Sequence, residues 1–155
     1  PGVYVGHPEA NSVALTRHDW ITDQASPWNQ AHIRSAEATP GNTGFWAVDI
    51  ITKGEYEVEL RRWPREADLA ITAPLAAGKP VPGLGAFRET PGKPFAAVKA
   101  ELKFGGKTLT VPVKSTDKQA TFRLKLKPGR DELWTKFYDA KGNRIGAYYA
   151  YVRKL

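Results

Sequence analysis

Two stretches hold most of the side chains able to do chemistry. The first runs from residue 15 to 34 and carries His18, Asp19 and Trp20, then Trp28, Asn29 and Gln30, then His32 and Arg34. Indole faces stack on sugar rings, while amides, carboxylates and guanidinium groups orient hydroxyls or anionic groups through hydrogen bonds. The second stretch, Arg61-Arg62-Trp63-Pro64-Arg65-Glu66, closes a glutamate-rich segment. These residues form the candidate ligand or domain-docking surface. A structural role competes at several of them. Trp20 and Trp28 are of the size and polarity to staple an irregular segment to a core. Alternation puts Arg62 on the apolar face of Tyr56 and Leu60, where an arginine needs a partner, and Asp19, Asp49 and Glu66 are the candidates.

No catalytic residue is assigned. His18 and Asp19 are adjacent, so on a strand they point to opposite faces, and no His-x-x-x-His or carboxylate cluster completes a metal shell with His32. The chain has no cysteine, which removes disulfides, thiol nucleophiles and zinc ribbons together. A phosphate-cradling glycine loop is absent, and the aromatic and basic residues lack the spacing of an RNA-recognition sheet, so nucleic acid is not an expected partner. No apolar run approaches the roughly 18 residues of a membrane span.

The net charge of +7 is divided unevenly. Residues 1–73 hold six Lys/Arg against ten Asp/Glu, while residues 74–155 hold seventeen against six, giving −4 and +11. The basic half is suited to an anionic polymer or an acidic partner surface. Lysines alternating with apolar residues also serve simply to solvate outward strand faces. The chain opens Pro1-Gly2-Val3 and contains no methionine, as expected of a processed or excised form.

Period-two alternation runs through the sequence and predicts an all-β, antiparallel, jelly-roll-like β-sandwich with little or no helix, as one domain over residues 1–155. Strands are expected at Val3–Val5, Phe45–Ile51, Tyr56–Arg62, Leu69–Ala73, Ala97–Phe104, Lys107–Val113, Ala120–Lys127, Asp131–Tyr138 and Gly146–Val152. Phe45 to Arg62 reads as a hairpin or meander. Gly105-Gly106 marks a tight turn, and the five prolines and four glycines of residues 74–94 mark a long loop. Trp134, Tyr148, Tyr149 and Tyr151 read as core residues or outward cross-strand pairs.

Several strings occur in one order along nearly the whole chain: Leu15-Thr16-Arg17-His18-Asp19-Trp20, Pro27-Trp28-Asn29-Gln30, Gly44-Phe45-Trp46-Ala47-Val48, Gly54 to Glu66, and Gly146 to Val152. This ordered set resembles the C-terminal region of bacterial arylsulfatases of the alkaline-phosphatase-like superfamily. The resemblance implies a periplasmic or extracellular protein whose upstream catalytic domain uses calcium and a formylglycine made from a Cys/Ser-x-Pro-x-Arg signature. That signature does not occur here, so the resemblance implies a non-catalytic accessory domain without a cofactor of its own. It would pack on the catalytic domain and frame the substrate cleft. The alternative is an independent carbohydrate-binding module for a sulfated or otherwise anionic polysaccharide.

Overall fold

The computed structural model describes residues 2–21, 44–74 and 92–155. Its strands are β1 (Val3–Val5), β2 (Ser12–Leu15), β3 (Trp20–Ile21), β4 (Gly44–Ile50), β5 (Gly54–Arg61), β6 (Ala97–Phe104), β7 (Lys107–Pro112), β8 (Ala120–Leu126), β9 (Gly129–Asp139), β10 (Arg144–Ile145) and β11 (Tyr149–Lys154). Two 3-10 turns, Arg17–Asp19 and Arg65–Ala67, are the helical elements among the described residues. No helix among them is long and apolar enough to cross a membrane.

The strands form the expected sandwich. One sheet runs β1-β4-β9-β6-β7, with β3 also on β4 and β10 on β9; the other runs β2-β11-β5-β8. The ladders are antiparallel except for β1 on β4, which is parallel. Pleating sends alternate side chains to opposite faces, so each strand contributes one apolar row to the space between the sheets. β4 supplies Trp46, Val48 and Ile50, and β9 supplies Leu133 and Phe137. They meet Val58 and Leu60 of β5 and Phe122, Leu124 and Leu126 of β8 in one core cluster. Each such side chain contributes roughly 1.5–3 kcal/mol by leaving water. On β8 the intervening Thr121, Arg123 and Lys125 are exposed, as expected of lysine-rich strands with one solvated face.

Three expectations about elements are corrected. Phe45 to Arg62 is not a hairpin: β4 pairs with β9, whereas β5 pairs with β8 and β11 in the opposite sheet. An apolar row on each strand suits facing sheets as well as neighbouring strands, so local pattern does not separate the two arrangements. Leu69–Ala73 is not a strand. Its buried Ile71 anchors a turn, with the Ile71 N–H donating to the Asp117 carbonyl at 2.8 Å and the Ala73 N–H to that of Ala70 at 3.0 Å. The expected strand Gly146–Val152 starts later, at Tyr149, because the chain leaves β10 in one sheet and uses its first three residues to reach β11 in the other. The buried crossing residues Gly146, Ala147 and Tyr148 are held by the Thr135 hydroxyl, which donates to the Ala147 carbonyl at 3.0 Å.

The Gly105-Gly106 turn joins β6 to β7 as expected. Its φ values of 61° and 73° lie in the left-handed region that a Cβ disfavours. The proline-rich loop lies outside the described residues apart from its ends.

Candidate ligand-binding site

Within the first predicted stretch, Trp28, Asn29, Gln30, His32 and Arg34 lie outside the described residues. His18 and Asp19 occupy the first 3-10 turn and are exposed. The Asp19 N–H closes that turn on the Thr16 carbonyl at 3.1 Å. Trp20 enters the core, edge-on to Tyr148 at 5.2 Å and tilted against Trp46 at 6.4 Å between ring centroids. The Trp46 indole donates to the Thr16 carbonyl at 2.7 Å, which fixes the backbone just before the turn. Trp20 therefore staples this segment to the sandwich.

The second stretch is likewise tied into the fold. Arg61 and Arg65 both donate through Nε to Glu59 Oε2, at 2.7 and 2.8 Å. Burial raises the Glu59 pKa, but the hydrogen bonds from Arg65 and Arg61 outweigh it and hold the carboxyl below the ordinary glutamate range. Arg61 also reaches Gln119 at 2.6 Å, and the Arg65 guanidinium lies 4.0 Å over the Tyr151 ring. Arg62 is 0% exposed, on the apolar face where alternation put it, and its guanidinium lies 4.3 Å over the Trp63 ring. Burial lowers its pKa to about 10, so it remains a cation at neutral pH. Among its expected partners, Asp49 is engaged by Arg130 at 3.1 and 3.3 Å, while Asp19 and Glu66 are exposed. Trp63 is buried and donates through its indole to the Ala73 carbonyl at 3.0 Å.

A cleft of about 770 Å³ opens elsewhere, at one end of the sandwich. Its walls come from three turns: β4 to β5, β6 to β7, and β8 to β9. The core residues Ile50 and Leu126, at most 5% exposed, close its bottom, and Gly54, Gly105 and Gly129 contribute bare backbone. Five cations line it, Lys53, Lys107, Lys125, Lys127 and Arg130, against two carboxylates, Glu55 and Asp131. Asp131 is already engaged by backbone donors: the Gly105 N–H at 2.8 Å and the Glu132 N–H at 2.8 Å. These bonds hold the β6–β7 turn against the start of β9. Arg130 is fixed by Asp49, whose carboxyl is held below its ordinary pKa by the Arg130 hydrogen bonds. The arrangement offers an anionic ligand several cations around the mouth of a cleft.

None of the five cations belongs to the two stretches singled out from sequence. For four of them the signal is a lysine or arginine at a glycine-containing turn, as in Lys53-Gly54, Gly106-Lys107 and Lys127-Pro128-Gly129-Arg130, while Lys125 is an outward residue of β8. Among the described residues, no three His, Cys, Asp or Glu side chains come together as a metal site.

No family model and no curated protein matches the chain. Among solved structures it is similar to a family 35 carbohydrate-binding module from Cellvibrio japonicus Abf62. That likeness has 14% identity and a TM-score of 0.43, and covers 92% of this chain and 96% of that one. A family 35 module from Clostridium thermocellum is similar at 12% identity and a TM-score of 0.42, over 93% and 98% of the two chains. A ruminal GH26 endo-β-1,4-mannanase matches 98% of this chain with 27% of its own length, at 13% identity and a TM-score of 0.47. At these identities and TM-scores the likenesses carry no inference about what this chain binds.

Proposed function

We propose that this chain is a non-catalytic binding module for a sulfated or uronic polysaccharide, which it holds in the cleft at the end of the sandwich. The four lysines of the rim support this: Arg130 is already paired with Asp49, and of the two lining carboxylates Asp131 is engaged by backbone donors. The acidic substituents of such a polymer meet the lysine rim. A polymer of this kind lies outside the cytoplasm, in keeping with the exported location implied by the resemblance.

The test is calorimetric titration of the chain with heparin, using uncharged dextran as the control. Three exposed ion contacts at about 0.2–1 kcal/mol each sum to roughly 1–2 kcal/mol, or about tenfold in affinity. The combined variant Lys107→Gln, Lys125→Gln, Lys127→Gln is expected to lose that much and to show a weaker dependence on salt. Unchanged affinity in the variant, or equal binding to dextran, removes the reading.

The ordered arylsulfatase-like strings favour a second reading, an accessory domain packed on a sulfatase catalytic domain. The open reading frame upstream tests it. A Cys/Ser-x-Pro-x-Arg signature there supports this parentage, and its absence leaves the independent module.

A further inference from the structure

β9 leaves the cleft at Arg130 and runs along the larger sheet. Its even-numbered side chains share the outward face, because Leu133, Thr135 and Phe137 point into the core. From Arg130 to Tyr138 this row covers about 27 Å at the rise of a strand. It carries two aromatic rings in fixed poses. Trp134 lies 4.6 Å from Phe45 of β4 at an interplanar angle of 32°, and its indole donates to Glu132 Oε2 at 2.9 Å. Tyr138 has the Lys99 ammonium 4.4 Å over its ring and donates through its hydroxyl to Glu101 Oε1 at 3.4 Å. The ladder places Lys103 beside Trp134 and Glu101 beside Lys136.

We propose that the outward face of β9 continues the cleft as a track for an extended anionic polysaccharide. Sugar rings lie on the Trp134–Phe45 pair, and acidic groups meet Lys99, Lys103 and Lys136, while Arg130 stays with Asp49. This rests on the reading of the cleft given above. Arg130 supplies the continuity, since it both lines the cleft and begins the row. Charge and hydrogen bonding supply the specificity. Lys103 is exposed and Lys136 half-buried, so their ammonium groups edge the aromatic platform. Glu132 and Glu101 retain lone pairs for sugar hydroxyls. A phosphodiester backbone offers these two carboxylates no hydroxyl donors, whereas a glycan does.

The experiment is titration of the full chain with heparin fragments of graded length. Affinity is expected to rise with length until a fragment spans the row. The variant Lys103→Gln, Lys136→Gln alters side chains outside the core, so it tests the track without threatening the fold; Trp134→Ala is the companion, with its melting curve as a folding control. Both are expected to lose about tenfold for the longest fragment, which corresponds to about 1.4 kcal/mol, and to match wild type for the shortest. Affinity independent of length, or the same loss at every length, overturns the track and leaves the cleft standing. A single-stranded oligodeoxynucleotide bound as tightly as the longest fragment overturns it in favour of nucleic acid. Failure of wild type to bind any fragment overturns the cleft and the track together.

Discussion

Trp20 and Trp46 pack against each other in the core, yet their indole N–H groups have different fates. Trp46 donates to the Thr16 carbonyl, whereas the buried Trp20 N–H has no hydrogen-bond partner among the described residues. Replacing either by phenylalanine removes a similar volume, but only Trp46→Phe also removes a hydrogen bond, leaving the Thr16 carbonyl with the Asp19 N–H alone. Trp20→Phe instead relieves a buried unpaired group. Trp46→Phe is therefore expected to cost about 1–2 kcal/mol more than Trp20→Phe in urea unfolding. Glu59 makes a second prediction at this scale. Its folded pKa is depressed, so the cluster with Arg61 and Arg65 stabilises the fold above the ordinary glutamate range. That contribution disappears as pH falls through the lower folded value. Glu59→Gln is expected to lower stability by about 1–3 kcal/mol at neutral pH and to converge with wild type in acid, read from melting temperature against pH.

The elements are joined by small locks that no single strand contains. β1 is followed by Gly6, whose φ of 78° turns the chain and brings it against the Tyr56 hydroxyl of β5. Tyr56 donates to the Thr52 carbonyl at 2.5 Å, and the Thr52 hydroxyl donates to the Gly6 carbonyl at 2.9 Å. The β4–β5 turn, which forms one wall of the cleft, is thereby held to the edge of the larger sheet. Gly6→Ala adds a Cβ that collides with the Tyr56 hydroxyl and also strains the left-handed backbone by about 1–2 kcal/mol. The expected loss exceeds that figure in the wild-type background and shrinks in a Tyr56→Phe background, where the hydroxyl is gone. A double-mutant cycle with no coupling between the two sites would contradict this lock.

Across the whole molecule, the uneven charge of the two halves is partly neutralised by topology. β5, from the acidic half, lies between β8 and β11, from the basic half. On the outward face of that sheet Glu57 meets Arg123 at 3.6 Å and Arg153 at 3.3 Å, while Glu59 takes Arg61 and Arg65. At the cleft Arg130 is paired with Asp49, and the lysines carry the surplus. Arg153→Gln, on the paired face, is accordingly expected to leave heparin affinity within about twofold, a change of about 0.4 kcal/mol or less. The cleft variant loses about tenfold. Equal losses in the two would show that binding follows net charge rather than a site.

Much of the local structure is legible in the sequence. Alternation along Phe45–Ile50, Tyr56–Leu60, Ala97–Phe104 and Ala120–Leu126 states which face each strand buries, and it places Arg62 inward two residues beyond Leu60. Gly105-Gly106 states where one hairpin turns. These are short-range consequences of pleating and of the backbone freedom of glycine, and they hold whatever the strand pairs with. Partner choice is different in kind. That β4 pairs with β9 rather than β5, and that the chain changes sheets at Gly146–Tyr148, follows from packing two apolar faces together across long sequence separations. The clusters at 15–34 and 61–66 stand out in sequence, yet Trp20, Arg62 and Trp63 go to the core and Arg61 and Arg65 to Glu59. The cleft is the reverse case. Lys53, Lys107, Lys127 and Arg130 look like ordinary solvated turn residues one at a time, and only the tertiary structure gathers their three turns at one end of the sandwich.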